Sequence, residues 1–349
     1  MTTEKPEFYD GTKLLSIKDI NGKDPEVYIC TTNRTGGKTT YFSRYFVNRF
    51  KRFNEKFMLL YRYSYELDGV ADKFFKDIKT LFFPNDTMES KKVAKGLFHI
   101  LTLNGVECGY AVSINSADTL KKYSHYFNDV ERILMDEFQP ESNTYLPNEV
   151  QKFMSIHTSV ARGQGKQVRR VPVFLLGNAV TLINPYYITL GISARLTSEV
   201  KFLRGDGWVL EQGFIETASR AQKGSAFNRA FSKEQYAAYS SENIYLHDNK
   251  SFVEKPDGPM SRYICTIRYK NKDYAIKEYR SLGILYCDDK PDTTFKYKIA
   301  ITTDDHNINY VMLKNNDLTI SNFRFFYNHG AFRFKDLICK EAVMNMLAY

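Results

Sequence analysis

The chain has 349 residues, of which 43% are hydrophobic, and this is enough apolar material for the cores of two domains. Lys and Arg exceed Asp and Glu by nine and 15% of the residues are aromatic, a balance that favours a polyanionic partner without defining a reaction. The five cysteines are far apart and form no C-x-x-C pair, which argues against a disulfide framework or a zinc site and fits a reducing cytoplasm. The N-terminus carries no signal-peptide pattern, and the longest apolar stretch is too short and too polar to cross a bilayer, so we expect no membrane partner.

Strand-like and helical segments alternate in the first 196 residues. We predict strands at 26–32, 57–62, 110–114, 130–135 and 171–176. After the first strand, aromatic residues at three- and four-residue steps predict an amphipathic helix with the stripe Phe42, Tyr45, Phe46, Phe50 and Phe53. A second helix opens at Pro147, and the residues expected to share its face are Val150, Phe153, Met154 and His157. This alternation predicts an α/β fold with a mostly parallel sheet and helices on both faces.

The sequence pattern changes after about residue 196. The RGDGW stretch at 204–208 is typical of a loop, and residues 216–242 have a helical pattern. KPDGPM at 255–260 is the best candidate for a domain boundary, because two prolines and a glycine interrupt regular structure there. Consecutive strands and a helical tail follow it. We therefore predict domains at 1–197, 198–258 and 259–349.

The stretch TTNRTGGKTT, residues 31–40, almost fits the phosphate-loop pattern G-x-x-x-x-G-K-[ST]. Gly37, Lys38 and Thr39 are in register, but Thr32 occupies the position of the first glycine. In such a loop, backbone N–H groups cradle the phosphates, the lysine bridges the β- and γ-oxygens, and the hydroxyl binds Mg²⁺. The alternative is a charged turn at the N-terminus of a helix. The strand before the loop and the helix after it favour a nucleotide site.

The stretch ILMDEF, residues 133–138, places two carboxylates after an apolar strand. Parallel sheets bind ligands at the carboxyl ends of their strands, so we expect Asp136 near the loop, where it would hold Mg²⁺ through water. Glu137 would then act as the general base on the attacking water, and burial would raise its pKa. Alone, the pair could be an acidic N-terminal cap. Together with GGKTT it favours phosphoryl transfer, which needs lysine, metal and base at one place.

Two weaker signals lie further along the chain. Asn178 follows the strand that ends in LLG, where its amide would sense the γ-phosphate or orient the water, or simply begin a loop. The basic stretch VARGQGKQVRR, residues 160–170, would either present an arginine finger to the nucleotide of a neighbouring subunit or contact DNA phosphates. Both alternatives stay open at this point.

Arg34 inside the phosphate loop, MDEF after an apolar strand and a later GN motif together resemble the large terminases, the ATPases that pump viral genomes into capsids. The stretches DEFQPESNTYLPNEV (136–150), LLGNAVTLINPYY (175–187) and ITTDD (301–305) look like those of the packaging ATPases of small phi-twenty-nine-like podophages. This resemblance covers nearly the whole chain. It implies an ASCE-type P-loop domain (the strand-inserted, catalytic-glutamate class) at 1–197, a helical linker domain at 198–258 and a degenerate RNase H-like α+β domain at 259–349.

The resemblance also implies roles for individual residues. The nucleotide-binding loop would comprise Thr32, Asn33, Arg34, Thr35, Gly36, Gly37, Lys38, Thr39 and Thr40. Thr39 and Asp136 would lie at the metal, and Glu137 and Asn178 would belong to the catalytic set. Arg162 would be an arginine finger acting in trans, and Lys122 would act across the same subunit interface, with Lys121 as the alternative register.

The implied cofactors are ATP and Mg²⁺, and the implied partner is double-stranded DNA that the protein translocates into a preformed capsid. Members of this family form a ring, usually of five subunits, on the portal of the procapsid, and in some of them a structural RNA tethers the ring. We accordingly expect the protein in the host cytoplasm, transiently bound to the procapsid and absent from the mature virion. Its DNA contacts should be mainly to phosphates, because a packaging machine must ignore sequence, and binding should weaken steeply with salt.

Large terminases also carry an RNase H-like nuclease with clustered carboxylates on two metals, and its first strand normally presents an Asp. Here the candidate strand, YICTIRYK at 263–270, has Cys265, Thr266 and Arg268 where an acid is needed. The remaining candidates are Asp288, Asp289, Asp304, Asp305 and His306. We expect a basic nucleic-acid-binding platform without nuclease activity. The alternatives are an active nuclease, or a non-catalytic nucleic-acid-binding scaffold whose phosphate loop has decayed.

Overall fold

The computed structural model describes residues 7–182, 184–193, 195–196, 200–242, 245–246 and 253–347. Its helices are α1 (Thr12–Ser16), α2 (Lys38–Phe53), α3 (Val70–Phe82), α4 (Ala117–Leu120), α5 (Glu149–Val160), α6 (Pro185–Thr189), α7 (Glu216–Gly224), α8 (Ala226–Ala230), α9 (Gln235–Glu242), α10 (Asp317–Asn328) and α11 (Leu337–Leu347). Its strands are β1 (Val27–Thr31), β2 (Lys56–Tyr61), β3 (Met88–Val93), β4 (Phe98–Leu103), β5 (Val106–Ser113), β6 (Val130–Met135), β7 (Val173–Gly177), β8 (Phe202–Gly205), β9 (Trp208–Gln212), β10 (Arg262–Tyr269), β11 (Lys272–Tyr279), β12 (Ile284–Asp288), β13 (Lys298–Ala300), β14 (Val311–Met312) and β15 (Phe332–Phe334).

The chain folds into two compact units. The first contains Met1–Thr181 and Thr197–Leu246, and the second contains Leu182–Leu196 and His247–Tyr349. The segment 198–258, which we predicted as a separate linker domain, thus contributes residues to both units. No helix in the described part of the chain has the length and apolar character needed to cross a membrane.

The first unit is built on a nine-stranded sheet with the order β3-β4-β5-β2-β6-β7-β1-β9-β8. Each neighbouring pair from β5 through β9 is parallel. Antiparallel pairs add β4 and β3 at one edge and β8 at the other. The prediction of an α/β fold with a mostly parallel sheet is confirmed. Within this sheet β7 lies between β1 and β6.

The aromatic stripe of α2 packs on the middle of the sheet. The ring of Phe174, on β7, lies with its centroid 5.5 Å from that of Phe42, 5.9 Å from Tyr45 and 5.2 Å from Phe46. It also stacks on Tyr28 of β1 at 4.9 Å. Every residue of β7 is buried, which explains why this strand is a continuous apolar run and not an alternating one. Burial of the stripe therefore holds α2, and the loop that precedes it, against β1 and β7.

Three predictions about this unit are wrong. Phe53 is the last residue of α2 and is exposed. Met154 is also exposed, because the buried positions of α5 are 149, 153, 156, 159 and 160, which form a face that does not include it. The RGDGW stretch is a β-hairpin whose ends lie in β8 and β9, with only residues 206–207 in the turn. Since β9 pairs in parallel with β1, part of the predicted linker segment lies in the main sheet.

The second unit is built on a six-stranded mixed sheet with the order β14-β13-β10-β11-β12-β15. The pairs of β11 with β10 and β12 are antiparallel, and β13, β14 and β15 add in parallel. Its core contains Cys265 and Ile267 of β10, Phe323 of α10 and Val343 of α11. The predicted run of consecutive strands and the helical tail are both present.

Candidate nucleotide site

The loop of residues 32–37 connects the carboxyl end of β1 to the first turn of α2. Gly37 has φ +90° and Thr35 has φ +59°, so the loop makes two left-handed turns before the helix starts. Glycine adopts such a φ at little steric cost, which explains why it stands directly before Lys38. The first N–H groups of a helix have no intrahelical partner. In α2 they are available to an anion at this edge of the sheet.

The loop and the acidic pair line one open pocket of about 430 Å³. The loop contributes Arg34, Thr35, Lys38 and Thr39, the end of β6 contributes Asp136 and Glu137, and the end of β7 contributes Asn178. Helices α7 to α9 complete the lining with Gln222, Phe227, Asn228, Tyr236 and Ser240. The carboxyl ends of β1, β7 and β6 are neighbours in a parallel arrangement, so the side chains of Lys38 and Asn178, which are 140 positions apart in sequence, meet at one edge.

Lys38 is held in this pocket by a neutral partner. The residue is only 8% exposed, and its Nζ donates a hydrogen bond of 3.2 Å to Oδ1 of Asn178. The Nδ2 of Asn178 donates in turn to the backbone carbonyl of Thr32, at 2.9 Å. No carboxylate in the described part of the chain forms an ion pair with Lys38. The pocket therefore contains a largely buried ammonium group that makes no direct ion pair with any described carboxylate, although Asp136 and Glu137 line the same pocket.

Glu137 stands at the turn that follows β6. It has φ +56°, an uncommon conformation for a residue with a side chain, and its N–H donates to Oδ1 of Asp136 at 3.0 Å. Partial desolvation at the pocket raises the pKa of the Glu137 carboxyl, the negative charge of Asp136 adds to the rise, and the ammonium of Lys38 opposes it. A carboxylate with a raised pKa beside an anion site is suited to accept a proton.

Arg62, directly after β2, fixes this turn and was missed by sequence reasoning. Its guanidinium makes two hydrogen bonds of 2.8 Å with Glu149, whose side chain is fully buried. It also donates to the backbone carbonyls of Glu137 at 3.3 Å and Phe138 at 3.0 Å. The available signal was an arginine at the end of the apolar run FMLLYR, at the same sheet edge as the other motifs.

Arg34 links the loop to the helices that follow β9. Its guanidinium forms an ion pair with Glu141 and lies 5.5 Å from the ring centroid of Tyr236 and 6.0 Å from that of Tyr239. One position later, Thr35 Oγ1 accepts a hydrogen bond of 3.3 Å from Nε2 of Gln222. Helices α7 and α9 therefore contact the phosphate loop directly.

The remaining loop residues shape the backbone and do not line the pocket. The side chain of Asn33 donates to the carbonyl of Ile215 at 3.1 Å and accepts from its N–H at 2.9 Å. The Oγ1 of Thr32 donates to the carbonyl of Asn33 at 3.0 Å. Gly36 accepts from the N–H of Tyr9 at 2.8 Å through its carbonyl. Thr40 is half-buried in the first turn of α2.

The two cations predicted to act between subunits lie outside this pocket. Arg162 and Lys122 are both exposed. Within the described residues, Arg162 has neither a hydrogen bond nor an ion pair. The alternative Lys121 pairs with Asp118 at 3.0 Å. Among the predicted site residues, the structure thus brings together the loop, both carboxylates and Asn178, and leaves these cations on the surface.

The pocket has oxygen donors suitable for a magnesium ion. The hydroxyl of Thr39 and the carboxylate of Asp136 both line it, and oxygen donors of this kind are those that Mg²⁺ prefers. Mg²⁺ usually takes only one or two protein ligands and completes its shell with water and phosphate oxygens. Two protein donors beside the first turn of α2 therefore fit the ion.

In the second unit, the carboxylates considered for a nuclease are engaged in other contacts. Asp288 pairs with Lys277 and Asp289 with Lys335, each at 2.6 Å. The carboxylate of Asp305 caps a turn by accepting two backbone N–H groups at 2.7 and 3.2 Å. The remaining candidates, which are exposed, are Asp304 and His306. In the part of the chain that the structure describes, no group of three or more His, Cys, Asp or Glu is arranged to hold a metal ion.

Known proteins similar to this chain include DNA packaging proteins of bacteriophages. The sequence model of the Podovirus DNA encapsidation protein (Gp16) family matches residues 3–348. The DNA packaging protein of Bacillus phage phi29 is 25% identical over 343 residues, which are 97% of this chain and 96% of that protein. The DNA packaging protein of Bacillus phage B103 is 24% identical over 283 residues, or 80% of this chain and 82% of that protein.

Two solved structures are similar in fold. The match to the bacteriophage Phi-29 viral genome packaging motor assembly has a TM-score of 0.59 at 22% identity and covers 97% of this chain and 99% of the other. The match to the Phi-28 gp11 DNA packaging motor has a TM-score of 0.65 at 14% identity and covers 99% and 98% of the two chains. Because the family model extends over nearly all of its residues, the chain belongs to the Podovirus DNA encapsidation protein (Gp16) family.

Proposed function

We propose that this chain is the ATP-hydrolysing subunit of a DNA packaging motor, which moves double-stranded viral DNA into a preformed capsid. Family membership supports the packaging role, and one observation carries the chemistry. Lys38, largely buried and without a carboxylate partner among the described residues, lies in the same pocket as Asp136 and Glu137. A buried charge without a direct ion pair is costly, and the phosphates of a bound triphosphate would supply that partner.

Each part of the pocket would bind a different part of the substrate. Lys38 and the first N–H groups of α2 would bind the phosphates, and Thr39 and Asp136 would hold Mg²⁺. When bound, Mg²⁺ would neutralise charge on the phosphates and help to orient them. The position of β7 between β1 and β6 supports the strand-inserted, catalytic-glutamate class of P-loop domain.

Glu137 would accept a proton from the attacking water. As the bond from the water oxygen to the γ-phosphorus forms, the bond to the leaving oxygen of ADP breaks, and the products are ADP and inorganic phosphate. The raised pKa of Glu137 suits this role because a general base is most effective when its pKa is near the working pH. Arg62 would keep the carboxylate in place through the backbone carbonyls of residues 137 and 138.

We also propose that the subunits form a ring, as a pentamer on the portal of the procapsid in the host cytoplasm. Arg162 would reach the nucleotide of a neighbouring subunit, and Lys122 would act across the same interface. The exposure of both side chains supports this, as does the absence of any described partner for Arg162. A cation placed at the transferred phosphate stabilises the charge of the transition state.

For the second unit we propose an RNase H-like platform that binds nucleic acid and does not cut it. Thr266 and Arg268 occupy the strand β10, where a nuclease would present an acid. The ion pairs of Asp288 and Asp289 with lysines also support this proposal, because a metal would have to compete with both lysines.

Steady-state ATP turnover of the full chain with Mg²⁺ tests the proposal. Wild-type protein should hydrolyse ATP, and Glu137→Gln should bind ATP while its turnover falls at least about a hundredfold, the scale of general-base catalysis. Glu89→Gln is the matched control, because Glu89 is exposed on the edge strand β3. Equal turnover in Glu137→Gln and wild-type protein would rule out the assigned base.

A further inference from the structure

Helices α7 to α9 give the pocket a second wall that differs in chemistry from the phosphate loop. The loop and the strand ends contribute ammonium, hydroxyl and carboxylate groups. The helices contribute the amides of Gln222 and Asn228 and the rings of Phe227 and Tyr236. A wall of aromatic faces and amides, next to a charged anion site, is the kind of surface that binds a heterocyclic base.

Phe227 is the most exposed residue of this wall. It is 72% exposed, although a phenylalanine normally contributes to stability by being buried. Its ring centroid lies 4.9 Å from that of Phe231, which supports it from one side within the same segment. The rest of the ring is open to a ligand. Because every nucleobase has a π-face, an exposed ring lining a nucleotide pocket is suited to stack on the base.

Asn228, the next residue, has a defined amide orientation. Its Nδ2 donates to the backbone carbonyl of Gln222 at 2.8 Å and to Oε1 of the same residue at 2.7 Å. A backbone carbonyl only accepts, so the NH₂ group of Asn228 must face it. Both N–H bonds are thereby used, and Oδ1 receives no hydrogen bond from any residue in the described ranges. Gln222 in turn donates to Thr35 Oγ1 at 3.3 Å, which ties this amide pair to the phosphate loop.

We propose that Phe227 and Asn228 form a nucleobase subsite that selects adenine. Phe227 stacks on the base, and Oδ1 of Asn228 accepts a hydrogen bond from the exocyclic amino group. Hypoxanthine carries a carbonyl oxygen in place of that amino group and so offers no donor there. The subsite rests on the proposed function, because it assumes that the phosphates occupy the loop. With this subsite, a single chain would prefer ATP to inosine triphosphate.

Isothermal titration calorimetry of the full chain with two ligands distinguishes recognition of the nucleobase from recognition of the phosphates. The ligands are ATP and inorganic tripolyphosphate, each with Mg²⁺. Phe227→Ala should weaken ATP binding about fivefold to a hundredfold, the range of base stacking on an aromatic side chain, and leave tripolyphosphate binding unchanged. Phe53→Ala is the control. Phe53 is 58% exposed at the far end of α2, about 22 Å from Lys38 at about 1.5 Å per residue, and should change neither ligand.

The amide is tested by comparing ATP with inosine triphosphate. Wild-type protein should bind ATP about threefold to tenfold more tightly, the scale of one hydrogen bond, and Asn228→Ala should bring the two affinities together. Equal binding of ATP and tripolyphosphate by wild-type protein, or no effect of Phe227→Ala, would overturn the subsite while leaving the phosphate site intact. An unchanged preference in Asn228→Ala would overturn the role of Oδ1. Failure of wild-type protein to bind either ligand would instead overturn the proposed function.

Discussion

Lys38 Nζ donates a hydrogen bond of 3.2 Å to Oδ1 of Asn178, and this contact joins the phosphate loop to the end of β7. The same amide donates to the carbonyl of Thr32, the residue that replaces the first glycine of the loop motif. Asn178 thus holds both the start of the loop and its lysine. The loop accommodates Thr32 in place of the first glycine because the backbone carbonyl of Thr32, and not its side chain, accepts the hydrogen bond from Asn178.

Replacing Asn178 should therefore impair the site without unfolding the chain. In Asn178→Ala the ammonium of Lys38 and the carbonyl of Thr32 both lose a partner, so we expect ATP turnover to fall about tenfold to a hundredfold. The control is Asn115→Ala, because Oδ1 of Asn115 also accepts from a lysine, Lys152 at 3.2 Å, but outside the pocket. Equal turnover in the two variants would contradict the role assigned to Asn178.

Turnover should depend on pH through Glu137. The pKa of its carboxyl lies above the ordinary value of 4.5, first because of desolvation and then because of Asp136. Only the ionised form accepts a proton, so the acidic limb of the profile of kcat/KM against pH should lie above 4.5. A limb at or below the ordinary value would contradict this assignment.

The same pKa shift predicts a pH-dependent effect on stability. With a raised pKa, the folded chain keeps the proton of Glu137 to a higher pH than the unfolded chain does. The folded chain therefore loses stability progressively as the pH rises from the pKa of Glu137 in the unfolded chain to its higher pKa in the folded chain. Glu137→Gln should match wild-type protein below this interval and be more stable above it. Urea denaturation across this pH range measures the difference, and greater stability of the wild-type protein above the interval would contradict the prediction.

Arg62 should contribute strongly to stability. Arg62→Met removes a two-fold charged hydrogen bond from the fully buried carboxylate of Glu149, and breaking a buried pair in this way typically costs about 3–5 kcal/mol. We also expect lower turnover at temperatures where the variant is folded, because the carbonyls of residues 137 and 138 lose their donor.

The matched control for Arg62 is an exposed pair. Lys92 lies 2.7 Å from Asp68, with side chains 64% and 68% exposed, so Lys92→Met should cost only about 0–1 kcal/mol. Urea denaturation gives the free energies of unfolding of both variants. Similar losses in the two would show that the Arg62 pair contributes no more than an exposed one.

Arg162 is expected to act on a neighbouring subunit. Subunits with Arg162→Ala and subunits with Glu137→Gln should each be inactive alone. Mixed in one ring, they create interfaces where an intact Glu137 faces an intact Arg162, so part of the turnover should return. The mixing ratio that gives the highest ATP turnover reports how Glu137 of one subunit pairs with Arg162 of its neighbour. Activity that stays absent at every ratio argues for action within one subunit.

The centre of the first unit could be predicted from the sequence because its strands are short apolar runs that end in polar motifs. β6 matches its predicted bounds, and β1 and β7 each end beside a recognisable motif. The edge strand β3 was missed because its sequence, MESKKV, is polar and exposed at its four central positions. β9 was missed because it contains a charged residue, Glu211, that is buried in the fold. The hydrogen-bond partner of Glu211 is 202 positions away in sequence: the hydroxyl of Tyr9 donates to its carboxylate at 2.7 Å.

The site residues differ in the same way in how far local sequence identifies them. Lys38 begins α2, Asp136 directly follows β6 and Asn178 directly follows β7, and the parallel sheet brings such positions to one edge. Arg62 and Asn228 carry no local motif. Their importance depends on partners that only the fold supplies, such as Glu149 for Arg62. Sequence patterns therefore indicate the residues that line the pocket more readily than the residues that hold the lining in place.

The nucleotide site is best examined in a structure of the chain with Mg²⁺ and a non-hydrolysable ATP analogue. We predict that Lys38 Nζ lies within about 3 Å of a β- or γ-phosphate oxygen. The metal should lie between the Thr39 hydroxyl and the Asp136 carboxylate, with Glu137 facing the γ-phosphate. An analogue bound elsewhere, with Lys38 still on Asn178 and the acidic pair away from the phosphates, would contradict the account.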